Sequence, residues 1–129
     1  MTLNLIWAAL AGAVLGSLAD WLFAGVLFHD RYQTYPEVWR TGGERGRIFA
    51  AQALALVTAA AFVALMWKLH QTDLKGALKL AAMVWLIGPL PLLLANHLFI
   101  RLDWRVTMSH AAGWLVKLLL IAAAAAWLL

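Results

Sequence analysis

Two ionisable side chains in this sequence stand where such groups are rare, inside long apolar runs. Lys117 lies eleven positions after the start of the run 106–129, and Asp20 lies near the end of the run 3–28. A charge in hydrocarbon costs at least about 2.5–3.5 kcal/mol, so it needs a partner, water or a shifted pKa. At about 1.5 Å per helical residue, the depths of the two groups differ by only about 4 Å. The sequence therefore predicts an ion pair inside a membrane, which is either structural or functional.

Other polar side chains occur in the same half of the predicted helices. Buried polar groups in membrane helices usually face the bundle interior, where they find partners. We therefore expect them to converge with Asp20 and Lys117 on one cavity. It would open toward face B, defined as the membrane face that carries the first and third loops. These further site residues are Gln52, Asn96, His97 and His110.

Three histidines are candidates for a metal or haem site. His97 and His110 flank the loop before the last helix, and His29 lies at the end of the first helix. No His-x-x-x-His or Glu-x-x-His spacing occurs within a predicted helix, although bundle metal sites commonly use such spacings. The sequence also lacks cysteine, so thiolate ligands are excluded. We predict interfacial hydrogen bonds for these imidazoles and no cofactor, with haem or metal binding as an alternative.

The residue inventory argues against an enzyme. The only serines are Ser17 and Ser109, and Asp20 is the only carboxylate inside a predicted helix. A nucleophile, a base and a group that orients the base cannot be assembled from this set. Gly42 and Gly43 lack the strand-loop-helix context of a phosphate-binding loop.

Four apolar runs must position these side chains. The chain is 65% hydrophobic and 12% charged, and its mean hydropathy is +0.83, which excludes an ordinary soluble domain. Each run reaches the roughly 20 residues that a helix needs to cross a bilayer. We predict an all-α, polytopic membrane protein with one transmembrane domain over residues 1–129, built as an antiparallel four-helix bundle. The predicted helices are 3–28, 48–67, 80–100 and 106–129.

The longest connection, between the first two helices, is predicted to contain a short interfacial helix. Thr34 and Glu37 have the spacing of a capping box, and Pro36 is tolerated in a first helical turn. Gly42 and Gly43 would end this helix. Its apolar side would rest in the membrane interface as an anchor, or act as a lid over the polar site. That side comprises Tyr32, Tyr35, Val38 and Trp39.

The distribution of cations predicts the orientation in the membrane. Short cytoplasmic loops are enriched in Lys and Arg, and face B carries six arginines against three lysines on the opposite face A. Face B is therefore predicted to be cytoplasmic, with both termini outside. The formal charge of +4 suits anionic lipid headgroups and not nucleic acid. The residues are Arg31, Arg40, Arg45, Arg47, Arg101 and Arg105 on face B, and Lys68, Lys75 and Lys79 on face A.

Two functions are compatible with these features. The first is a non-catalytic protein that self-associates or serves as an accessory subunit of a membrane complex. The second is a small permease or proton-coupled carrier that uses Asp20 and Lys117. Gly12 and Gly16 have the spacing that lets helices approach closely, either within the bundle or between subunits.

Short motifs also resemble a known family. Phe23 with Leu27-Phe28, the segment 96–99 (Asn-His-Leu-Phe) and the Gly113-Trp114 step resemble small bacterial four-helix membrane proteins known only as a domain of unknown function. The resemblance implies four helices and no established activity, so it carries over no functional residue.

Overall fold

The apolar runs form long helices in a computed structural model of the protein, which describes residues 2–129. Within that range, four helices are long and apolar enough to cross a membrane, and no strand occurs. The all-α prediction is confirmed, and these helices indicate a multi-pass membrane protein. They span Thr2–Leu27, Glu44–Lys68, Leu74–Phe99 and Trp104–Leu128.

The first spanning helix changes its geometry at Asp20. Helix α1 covers Thr2–Asp20, and the segment Trp21–Leu27 that follows is π-helical. The wider turn continues to Phe28, whose backbone N–H donates to the Phe23 carbonyl five residues back at 3.0 Å. Such π-helical turns are rare and frequently occur at functional sites.

Two of the remaining helices begin at least four residues earlier than hydropathy predicts. Helix α2 spans Glu44–Lys68 and begins four residues before the predicted 48. Helix α3 spans Leu74–Ile87 and begins six residues before the predicted 80. Hydropathy detects only the part of a helix that lies in hydrocarbon, whereas both first turns contain charged residues. Asp73 caps α3, because its carboxylate accepts from the Gly76 backbone N–H at 2.9 Å.

The third spanning helix is broken near its centre. Helix α3 ends at Ile87, and helix α4 spans Pro89–Phe99. Pro89 has no backbone N–H to donate to the preceding turn, and Gly88 adopts a non-helical φ of −112° and ψ of −82°. The fourth spanning helix, α5, is continuous over Trp104–Leu128.

Helix α5 is the centre of the bundle and buries ten of its 25 residues. Helix α1 packs closely against it at Gly12 and Gly16. A Cβ atom added at Gly12 would lie 3.0 Å from Ile121 Cγ2, and one at Gly16 would lie 3.0 Å from Lys117 Cγ. The two glycines therefore bring helices of the same chain together.

Helix α2 joins the bundle over only part of its length. Its buried residues are Ala55, Ala59, Phe62, Val63 and Met66, which form one stripe at helical spacing. Every residue from 44 to 54 is exposed. The half of α2 near face B therefore stands away from α1 and α5.

The first loop corrects the prediction of an interfacial helix starting at Thr34. It contains two short 3-10 turns, His29–Gln33 and Pro36–Val38. The Thr34 hydroxyl does not cap a helix, since it contacts the Arg31 carbonyl oxygen and Asp103 Oδ2, both at 3.0 Å. The first loop, residues 28–43, is therefore called the strap here, because Thr34 ties it to Asp103 at the start of α5.

Candidate functional site

Helices α1 and α5 bring Asp20 and Lys117 into contact. Lys117 Nζ lies 2.6 Å from Asp20 Oδ2. The ammonium also lies 4.3 Å from the centre of the Trp114 ring, a favourable cation–π distance. The Lys117 side chain is only 7% exposed, whereas that of Asp20 is 45% exposed. The cation is therefore enclosed by the bundle, and its carboxylate partner stays accessible.

The carboxylate faces a cavity of about 430 Å³ between α1, α2 and α5, called here the pair cavity. This volume falls in the range of small-molecule sites. Most of its wall is apolar, with Phe23, Ala24, Ala51 and Leu54 among the lining residues. Its polar lining residues are Asp20, Tyr32, Thr58, Ser109, His110 and Lys117.

Tyr32 from the strap lines the end of the pair cavity nearest the first loop. Its phenol oxygen lies 3.2 Å from the hydroxyl oxygen of Ser109, a fully buried residue. The Tyr32 ring packs against His110 and Trp39, with centroid distances of 5.4 and 5.3 Å. Burial raises the pKa of the Tyr32 phenol, and the hydrogen bond with Ser109 offsets this only in part. The phenol therefore remains protonated at neutral pH.

His110 separates the pair cavity from a smaller one. It lines both the pair cavity and a cavity of about 270 Å³ beneath Trp39, next to Asn96 and Thr107. Its Nε2 atom is buried and has no hydrogen-bond partner within residues 2–129. A buried imidazole nitrogen without a partner is an unfavourable arrangement that a bound molecule can relieve.

Three of the predicted site residues lie outside the pair cavity, so the expected convergence is wrong for them. Gln52 is exposed and lines a separate groove of about 410 Å³ that also contains Ser17. Asn96 lines the smaller cavity beneath Trp39. His97 bonds with α5 instead, its Nδ1 lying 3.1 Å from Thr107 Oγ1. These residues share a depth in the membrane with the site but project in other directions around their helices.

The histidines do not form a metal centre in this arrangement. Across the described residues, no group of three or more His, Asp or Glu side chains is gathered closely enough to hold a metal ion. His29 is exposed on the first loop, and neither it nor His97 lines the pair cavity.

Three polar residues that line the site are absent from the set predicted from the sequence, namely Tyr32, Thr58 and Ser109. Ser109 precedes Lys117 by eight residues, close enough in helical phase to share a broad face of α5. The sequence places Tyr32 only on the apolar side of an anchor or lid, and its path through an irregular strap follows no sequence period.

Comparison with known proteins places the chain in a family. Residues 7–125 match the family model described as "Protein of unknown function (DUF1761)". Because the match covers most of the chain, the protein belongs to this family, and the resemblance noted in the sequence is confirmed. No curated protein matches the chain, and neither does any solved structure.

Proposed function

We propose, since family membership assigns no activity, that this protein is a non-catalytic, proton-coupled carrier of the bacterial inner membrane. The proton and the solute bind at the Asp20–Lys117 pair, at the inner end of the pair cavity.

The unequal exposure of the two partners is the observation that carries this proposal. Lys117 is enclosed, while 45% of the Asp20 side chain is exposed beside the cavity. A pair that only held two helices in register would need no cavity at its carboxylate. A carboxylate beside an open cavity can take up a proton or exchange its partner.

Proton coupling follows from the charges of the pair. As an ion pair, Asp20 and Lys117 together carry no net charge. Protonation of Asp20 leaves the Lys117 ammonium unpaired, at a cost of about 3–5 kcal/mol for a buried group. A negatively charged solute group at Lys117 removes that cost. The site therefore favours uptake of a proton together with an anion over uptake of either alone.

The experiment is proton flux into vesicles made from total bacterial lipid extract. A pH gradient is imposed, and a dye trapped inside the vesicles reports the internal pH. We expect flux in vesicles that contain the wild-type protein and at least about a 10-fold loss in Asp20→Asn, which cannot exchange the proton. Asp30→Asn, an exposed carboxylate on the first loop, is the matched control and should keep the flux.

Flux that is equal in wild-type and Asp20→Asn vesicles would exclude this carrier mechanism. If no protein supported flux and the wild type purified in a stable larger assembly, the function of an accessory subunit would replace it.

Self-association is a second, separate proposal that rests on Gln52. Its side chain is exposed in the groove with Ser17, at a position inside the spanning helix. A glutamine amide is both donor and acceptor, so two copies facing each other can satisfy both groups. Hydrogen bonds of this kind contribute to helix association in membranes.

Disulfide trapping tests this contact without background, because the chain has no native cysteine. Gln52→Cys should form a crosslinked dimer in membranes on mild oxidation. Val57→Cys, on the same helix and 62% exposed, should crosslink much less. Equal crosslinking at both positions would indicate random collision instead of a defined interface.

A further inference from the structure

We infer that the ligand of the pair cavity is a long-chain carboxylic acid that enters from the lipid bilayer in its neutral form. This inference rests on the proposed function, because it names the solute that brings the proton.

The position of the cavity opening favours entry from the bilayer. Ala51 and Leu54 line the pair cavity on α2, and Leu54 is 66% exposed. They lie four and seven residues beyond Arg47, or about 6 and 10 Å deeper along the helix. Arg47 belongs at the level of the lipid headgroups, as charged residues at helix ends do. The opening therefore faces hydrocarbon.

The strap lies over the other end of the cavity, nearest the first loop. Tyr32 lines this end, and its hydroxyl contacts the buried Ser109 hydroxyl at 3.2 Å. Thr34 ties the strap to Asp103, since its hydroxyl lies 3.0 Å from the Asp103 carboxylate. A molecule that is dissolved in the bilayer thus has a more direct path to Asp20 than a water-soluble one.

The charge of the site favours a ligand that enters in its neutral form. The ion pair is neutral, so an ion that enters as an ion would leave a net charge in the membrane interior, where charges are strongly disfavoured. A neutral carboxylic acid brings its own proton. The acid gives this proton to the Asp20 carboxylate, and the resulting ligand carboxylate pairs with the Lys117 ammonium. Asp20 is then a neutral carboxylic acid, so the net charge of the site stays at zero through the whole exchange.

The remaining surroundings suit this ligand. His110 lines the same cavity, and its buried Nε2 atom has no partner among the described residues, so we expect the head of the acid to draw this nitrogen into a hydrogen bond. The walls toward the opening, including Phe23 and Leu54, are apolar and suit the hydrocarbon chain. The rest of the ligand's chain extends past Leu54 into the bilayer.

Photolabelling of the full-length protein in lipid nanodiscs tests the inference. The probes are a diazirine-bearing C16 fatty acid and the matching C16 alkyl sulfate, which is a permanent anion. Labelled peptides are located by mass spectrometry. We expect the acid to label the wall of the pair cavity in the wild type, and to do so at least about 100-fold more efficiently than the sulfate, which adds a net charge.

Two variants make the charge argument specific. Asp20→Asn leaves Lys117 as the only charged partner, so the sulfate should now label the cavity as well as the acid does. Lys117→Met removes the cation, and labelling by both probes should fall to background. A merely apolar cavity would take both probes equally in all three proteins, and that result would overturn the inference.

The opening is tested by a variant that leaves the ion pair intact. Leu54→Trp should reduce labelling by the acid at least several-fold, because the larger side chain narrows the entrance. Val57→Trp, 62% exposed on the same helix but absent from the cavity wall, is the matched control. Equal labelling in the two variants would contradict entry beside Leu54.

The outcomes also separate this inference from the proposed function. Asp20-dependent proton flux without labelling of the cavity by the fatty acid would refute the ligand class and leave the carrier in place. Labelling in the expected pattern without Asp20-dependent flux would refute the carrier and leave the binding site.

Discussion

At the scale of single residues, the pair cavity joins one enclosed cation to one accessible anion. The Lys117 ammonium has the Asp20 carboxylate at 2.6 Å and the Trp114 ring at 4.3 Å. Both contacts stabilise the positive charge of the lysine. The Lys117 ammonium is thus held in place on α5, and the accessible Asp20 carboxylate is the partner that can take up a proton or be exchanged.

A thermodynamic cycle on the ion pair should show strong coupling. Asp20→Leu leaves the enclosed Lys117 ammonium without its carboxylate partner, and we expect this to lower the free energy of unfolding by about 3–5 kcal/mol. Lys117→Met leaves a carboxylate that is nearly half exposed, so its loss should be smaller, about 1–3 kcal/mol. The double variant should lose less free energy of unfolding than the two single variants lose together, by about 0.5–3 kcal/mol.

Unfolding in detergent, followed by circular dichroism over a denaturant series, measures these differences. Additive losses would mean that the two side chains do not interact in solution, whatever their distance in the structure.

The side chains around the pair show what sequence can and cannot predict at this scale. Depth and helical phase together indicate Asp20 and Lys117. Asp20 shares a helical stripe with Gly12 and Gly16, and Lys117 shares one with His110 and Trp114. Depth alone indicates Gln52, Asn96 and His97. Depth follows from residue number, but the direction around the helix axis depends on how the helices pack, and these three residues point elsewhere.

At the scale of helices, α1 packs closely against α5 because Gly12 has no Cβ atom. At Gly12, a Cβ atom would lie 3.0 Å from Ile121 Cγ2 and 3.5 Å from Ala59 Cβ of α2. Ile121 and Ala59 are themselves completely buried. An added carbon at Gly12 therefore requires the buried Ile121 side chain to shift by a few tenths of an ångström.

Alanine substitutions of glycine should therefore have opposite effects at two positions. We expect Gly12→Ala to destabilise the protein by about 1–3 kcal/mol through overpacking. Gly46 lies in α2, and an added methyl group there would meet no atom within 4 Å, so Gly46→Ala should be neutral or should stabilise by up to about 1 kcal/mol. Thermal unfolding in detergent compares the two; a Gly12→Ala protein as stable as Gly46→Ala would show that α1 and α5 can separate without loss.

Asp103 links the strap to α5 through two kinds of contact. Its carboxylate accepts from the Arg105 backbone N–H at 2.9 Å and contacts the Thr34 hydroxyl. The Arg105 backbone hydrogen bond is the main cause that lowers the pKa of the Asp103 carboxyl below its usual 3.8. Since the folded pKa is lowered, the stabilisation is present above pH 3.8 and is lost as the pH falls through the folded pKa.

Loss of the Asp103 carboxylate should release the strap. We expect Asp103→Ala to increase tryptic cleavage after Arg31 and Arg40 several-fold at neutral pH, because the contact with Thr34 is gone. Asp73→Ala is the control: Asp73 caps α3 in the same way but holds no loop. Cleavage followed by mass spectrometry measures the difference, and equal rates in the two variants would show that the strap is held by other contacts.

The helices themselves can be predicted from hydropathy far better than the connections between them. Long apolar runs suffice to place spanning helices, and Pro89 gives a physical reason for the break between α3 and α4. The π-helical segment after Asp20 has no recognisable sequence pattern, because the residues 21–27 are as apolar as any other membrane helix. The spacing of Thr34 and Glu37 predicts a capped helix in the strap, yet the Thr34 hydroxyl binds a residue 69 positions away.

At the scale of the whole molecule, the two halves of the protein differ. The side near the first loop contains the pair cavity and the splayed half of α2. The other half contains the buried stripe of α2, with Phe62 and Met66, packed into the core. Such a molecule has one side that can exchange ligands and one that holds the helices together.

The orientation of these halves remains a prediction from the cation count. Face B, with six arginines, should be cytoplasmic, and both termini should lie outside. A C-terminal alkaline phosphatase fusion should be active, and a C-terminal GFP fusion should not fluoresce. The opposite pair of results would reverse the orientation and place the strap on the outer side.

The central position of α5 also affects how the protein is made. Lys117 follows Asp20 by 97 residues, and ribosomes add about 5–20 residues per second. Asp20 is therefore synthesised roughly 5 to 20 s before its partner. The second and third spanning helices are made during that interval, whereas the central helix and the cation for the Asp20 carboxylate come last. The bundle around the pair cavity can thus close only late in synthesis, after α5 has been made.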